Sequence, residues 1–140
     1  MSDRTDRRDY REDLGALMSP LVAGTGKPAQ AFYDHLESDF EGASPTICLA
    51  SEGSTPAPMT IKGWRYQHRL RVLVFVTRDD PNADDTLDDC YEAIADVIEG
   101  NRRTANWTDL QFNGPSQIDA ASWGGDPYWI EAIPIIVAGF

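Results

Sequence analysis

Read with a period of two, Tyr66, Leu70, Val72, Val74 and Val76 fall on one side of the stretch Tyr66 to Thr77, which marks it as a long β-strand. The other side changes character along the strand. Gln67, Arg69 and Arg71 make its first half polar, and Leu73 and Phe75 make its second half apolar. A strand that passes from one buried face to two belongs in the middle of a sheet. Arg78-Asp79-Asp80-Pro81 ends it, and an amphipathic helix follows: Thr86 is placed to cap it, Leu87, Tyr91, Ile94 and Ile98 line one face, and Gly100-Asn101 stop it.

The rest of the chain is arranged around this strand and helix. Tyr10, Leu14, Leu17, Met18 and Leu21 form one face of a first helix, which Pro20 ends near Met18 or Ser19. Ala29 to His35 reads as a short strand, Glu37 to Pro45 as a polar loop, and Thr46 to Ala50 as a strand closed by Ser51-Glu52-Gly53-Ser54. Gly53 to Gly63, with its prolines and glycines, is an extended loop back to the long strand. Trp107 to Phe112 and Ser116 to Ala121 read as strands, and Trp123 to Pro127 as a loop. Tyr128 to Val137 reads as the last strand, which Pro134 assigns to an edge or a bulge. The expected fold is α/β (α+β): a mixed, mainly antiparallel sheet of four to five strands with two main helices packed on it. Residues 1–9 alternate Asp and Arg as a flexible charged arm, and residues 10–140 form a single domain.

Composition narrows the function. The chain carries 12 basic and 23 acidic residues, a net charge of −11, which repels phosphate and disfavours tight nucleic-acid binding. No apolar run reaches the length of a membrane helix, and Met1 to Asp13 is too charged for a signal peptide, so the cytoplasm is the expected location. Cys48 and Cys90 are expected as reduced, buried residues.

No motif points to catalysis or to a metal or cofactor. Gly24 to Pro28 lacks the first glycine of a phosphate-binding loop, and Pro28 stands where Ser or Thr is needed. The run from Asp80 to Asp84 begins like a calcium loop but has no glycine at the turn and Tyr91 in its twelfth position. His35 and His68 neighbour no nucleophile motif and are expected to be structural. On the second helix Asp85, Asp88, Glu92, Asp96 and Glu99 form a continuous stripe, which is either a solvated face or a charged surface in an assembly. Trp64, Arg65, Arg69 and Arg71, with the loop before them, are the candidates for meeting a neighbouring subunit, because Trp and Arg are enriched at interface centres; a solvated loop is the alternative. Leu73 and Phe75 join that set unless the helix of the same chain covers them.

The order of elements, with three local phrases, resembles the tail terminator family of long-tailed, non-contractile bacteriophages. The phrases are Phe32-Tyr33-Asp34 leading through Asp39 to Ile47 and on to Ala50–Ser54, the pairing of the long strand with Thr86 to Glu99, and Asp126 to Ile135. The resemblance implies a virion structural protein of the head-proximal tail end, assembled in the host cytoplasm. It would form a six-membered ring that caps the tail tube, stops its growth and presents a surface to the head-tail neck protein. Its partners are then copies of itself, the tube protein and the neck protein, with DNA passing through without specific binding and the acidic stripe as a candidate lining of the lumen or intersubunit face. A head-tail neck ring protein is the alternative, and a small-molecule or calcium-binding module is a rival of a different class.

Overall fold

The computed structural model describes residues 7–21, 28–41, 43–55 and 67–139. Tyr66, Trp64, Arg65, the Gly24–Lys27 segment, residues 56–63 and the first six residues lie outside that set. The elements are helix α1 (Arg7–Met18) with a 3₁₀ turn (Ser19–Leu21), β1 (Ala31–Tyr33), β2 (Thr46–Thr55), β3 (Gln67–Thr77), helix α2 (Ala83–Gly100), β4 (Asp109–Phe112), β5 (Gln117–Trp123) and β6 (Asp126–Ala138). They make an α+β fold around one six-stranded sheet in the order β1-β2-β3-β6-β4, with β5 also pairing β6. Among the described strands only β1 and β2 run parallel.

The period-two pattern of β3 is realised as a two-sided core. Leu70, Val72, Val74 and Val76 are buried on the face that carries both helices, among Tyr10, Leu14 and Met18 of α1 and Leu87, Cys90, Ile94 and Ile98 of α2. Leu73 and Phe75 point the other way, into a second cluster with Phe40, Cys48, Ala50 and Tyr128. Burial outweighs the charge pattern in α2. Its side chains Leu87, Ile94 and Ile98 are each worth about 1.5–3 kcal/mol, whereas like charges at neighbouring turns cost only about 0.2–0.5 kcal/mol per pair.

Several boundaries differ from the sequence reading. Arg7 to Asp9 belong to α1 and not to a charged arm. β2 continues through Ser51–Thr55, which reads as a turn in sequence. A bulge between Ser51 and Gly53 re-registers it, and side chains hold it: Arg11 Nη1 donates to Ser51 Oγ (3.0 Å), Arg7 Nη1 to Ser54 Oγ (3.0 Å), and Ser54 Oγ lies 2.7 Å from His68 Nδ1. α2 begins at Ala83, ahead of Thr86. Thr86 Oγ1 instead hydrogen-bonds Asp80 Oδ2 and the carbonyl of Asn82, both at 3.1 Å, and so fastens the first turn.

Pro134 is not on an edge strand, because β6 lies inside the sheet. Arg78 N donates to Pro127 O and Asn113 N to Pro134 O, so odd-numbered residues of β6 direct their backbone polar groups toward β3 and even-numbered ones toward β4 and β5. β4 and β5 lie end to end along that side, their registers two residues apart. The donor that Pro134 lacks faces the connection between them, where no ladder bond is needed. The turn from β5 to β6 is the two-residue pair Gly124-Gly125, at φ 59° and 86°, as a tight hairpin with two positive φ angles requires. A Cβ on Gly124 would also stand 2.8 Å from the carbonyl of Ser38.

Candidate functional site

The face of the sheet away from the helices is divided in two. Gln67, Arg69, Arg71, Leu73 and Phe75 share it on β3, and their partners on β6 are Ala138, Ile136, Pro134, Ala132 and Ile130. The segment between β1 and β2 crosses the end that holds Phe75. Phe40 descends from it to within 4.6 Å of the Phe75 ring, 5.8 Å of Tyr33 and of Tyr128, and 6.3 Å of Trp123 (centroid distances). Trp123 Nε1 donates to the carbonyl of Glu37 (2.6 Å), and Thr77 N donates to Ser44 Oγ (3.1 Å). Leu73 and Phe75, 6% and 0% exposed, are therefore covered by their own chain. This corrects their assignment to a subunit interface: the cover is an aromatic plug from a loop that reads as polar, not a neighbouring copy and not a helix.

The other half of the face is open and holds the two arginines. Arg69 Nη1 donates to Thr55 Oγ1 at 3.0 Å, and its guanidinium lies over Gly53, where a Cβ would stand 2.7 Å from Nη2. Arg71 Nε is 3.8 Å from Glu52 Oε2, too far for a hydrogen bond, and that nitrogen is buried without one. Half-buried Ile136 and Pro134 flank the pair. Trp64 and Arg65, the other members of the predicted set, lie outside the described residues.

The acidic stripe occupies the opposite side of the molecule. Asp85, Asp88, Glu92, Asp96 and Glu99 are all exposed on the outer surface of α2. Among the described residues, the ion pairs of arginine join Arg71 to Glu52 and Arg102 to Asp109, and none involves the stripe. The last turn of α2 has no basic residue, so Asp96 and Glu99 also oppose the helix dipole. The acidic stripe thus lies on one outer layer and Arg69 and Arg71 on the other, with the sheet between. A cleft of about 530 Å³ lies where α2 meets β4, lined by Ile98, Glu99, Arg102, Leu110, Gln111 and Phe112.

Two further features escape a reading of motifs. Glu131 is 5% exposed on the helix-covered face, paired across β3 with Val74. Ser116 Oγ donates to its Oε2 at 2.8 Å. Burial raises its pKa above the usual carboxylate range, and the charge of Asp88 adds to the rise. The alternation of the last strand was the available signal, since it sets Glu131 on the same side as Ile133, Ile135 and Val137. The second feature is β5, exposed along its length from Gln117 to Ser122 and paired, among the described strands, with β6 alone.

Cys48 and Cys90 are free and buried, and burial pushes their thiols up to about 11 and about 12, far from the reactive thiolate range. His35 is exposed between Asp34 Oδ1 (3.1 Å) and Glu37 Oε2 (3.3 Å), whose hydrogen bonds raise its pKa. His68 is buried against the Tyr10 ring at 5.2 Å. Among the described residues no group of three His, Cys, Asp or Glu side chains is placed to hold a metal ion, and no helix is long and apolar enough to cross a membrane. No family model matches this chain, and no curated protein matches it.

Proposed function

We propose that this chain is a structural virion protein, a tail terminator that forms a six-membered ring on the end of a phage tail tube, arrests tube growth and presents the surface to which the neck joins. The observation that carries this reading is the part played by the phrase on which the resemblance rests. From Asp39 to Ile47 that phrase delivers Phe40 into the second core, ties Ser44 to the end of β3 and starts β2. It is therefore the piece that decides how the central strand is closed. The element order also supports the reading, with a long central strand followed at once by a helix that returns across the same sheet.

The separation of charge suits such a ring. Acids on the α2 side and Arg69 and Arg71 on the far side of the sheet favour a head-to-tail contact between copies, the type that closes into rings. Mass determination by light scattering, on the chain alone and mixed with tail tube, tests the ring: six chain masses in either condition support it, and single chains in both remove it. A calcium-dependent rise in melting temperature without any ring would favour a binding module.

A further inference from the structure

We infer that the outer edge of β5 is a self-pairing site, through which two copies of this chain join their sheets across a two-fold axis at Ala120. The inference goes beyond the ring and does not rest on it. A ring whose two faces meet different partners has no two-fold axis across it, so the pairing describes the free protein.

The backbone directions established for β6 fix which groups of β5 are free. Even-numbered residues of β6 direct their polar groups toward β5, and the register pairs them with Gln117, Asp119, Ala121 and Trp123. Ile118, Ala120 and Ser122 therefore point their N–H and C=O groups away from the sheet. No hydrogen bond to those groups occurs among the described residues, and all three residues are exposed.

Proteins ordinarily protect such an edge with lysine, proline, a bulge or a covering element. β5 has none of these: its sequence, QIDAASW, holds one charge, no lysine and no proline, and its register against β6 is unbroken. Leu36 apart, Ile118 is the large apolar side chain most exposed among the described residues, at 51%. Ala120 and Ala121 leave nothing bulky to hold another strand away.

The occupant that fits is a second β5. Ile118, Ala120 and Ser122 are symmetric about Ala120, so an antiparallel partner centred there pairs Ile118 with Ser122 of the partner subunit, and Ala120 with Ala120 of the partner subunit. Three residues with one donor and one acceptor each make six backbone hydrogen bonds, with none of these groups left over. Asp119 then stands opposite Ala121 of the partner subunit and not opposite another carboxylate, which avoids the penalty for like charges directly across a ladder. Ile118 is covered beside the small Ala120 of the partner subunit. On a chain of net charge −11, β5 itself carries a single charge, Asp119.

The test is Ala120→Pro, measured by sedimentation equilibrium across about 1 µM to 1 mM. The nitrogen of Ala120 points outward, so proline there removes two of the six bonds of the pairing and none from the β5–β6 ladder. The unmodified chain should move toward twice the 15.5 kDa of a single chain as concentration rises. Ala120→Pro, and separately Ile118→Lys, should shift the midpoint at least tenfold upward while far-UV circular dichroism and melting temperature stay close to those of the parent. A parent chain that is monomeric throughout the range would overturn the proposal, and so would a dimer unmoved by either substitution. If Ala120→Pro fails to fold, Ile118→Lys decides alone, because its side chain lies outside both cores. A six-fold mass in the parent would speak for the ring and against this pairing.

Discussion

Replacing Phe40 with alanine removes the ring on which the second core converges. Phe40 is 3% exposed and lies in contact with four other aromatic rings, at centroid distances from 4.6 to 6.3 Å. Truncating a buried phenylalanine to alanine costs about 3–5 kcal/mol. Because its contacts come from β1, β3, β5 and β6 together, the surroundings cannot collapse into the hole without moving the sheet, which sets the expectation at about 4 kcal/mol. A domain of this kind has about 5–15 kcal/mol of total stability, so the variant should still fold at room temperature. Urea unfolding followed by tryptophan fluorescence reads the change directly, since Trp123 lies beside the cavity. With a slope of about 1–3 kcal/mol per molar urea, the midpoint should fall by about 2 M. A loss below about 1 kcal/mol would refute the account of the Glu37–Pro45 segment as the cover of Leu73 and Phe75, and would return those two residues to the candidate interface.

Three further variants probe the charged groups. Glu131 has a folded pKa above its unfolded value, so the folded chain holds the extra proton and stability declines as pH rises from the unfolded value of 4.5 through the raised one; Glu131→Gln, which can still accept from Ser116, should raise the melting temperature at pH 7 and lose that advantage in acid. Changing Glu92, Asp96 and Glu99 together to glutamine should stabilise the isolated protein by about 0.5–1 kcal/mol in low salt through relief of like-charge neighbours, and an unchanged melting temperature would mark the stripe as fully screened. In the proposed ring, Arg69→Glu with Arg71→Glu should weaken assembly, most clearly at low ionic strength, and unaltered rings would take both arginines out of the proposed contact.

What the sequence discloses and what it withholds follow from the same physics. β3 and α2 are legible because burial repeats along them with the period of their own geometry. Phe40 is not legible as a core residue because one aromatic in a polar segment has no period, and its role depends on Phe75, 35 positions away in the chain. Ser51 to Thr55 carries turn-forming residues, and its strand conformation is imposed by Arg7, Arg11, Arg69 and His68 from other elements. Pro134 shows the limit of a local rule. It forbids one donor, and the sheet meets that demand in its interior by placing the break between β4 and β5 opposite it. The arginines and the acidic stripe are visible as charges along the sequence, but only the sheet between them shows that they face apart.

Negative-stain imaging of tails assembled with and without this protein tests the terminator reading most directly. Tubes of uniform length ending in a ring are expected when the protein is present, and tubes of uncontrolled length when it is absent. Tails of normal length that merely fail to join heads in its absence would contradict it and identify a neck component instead.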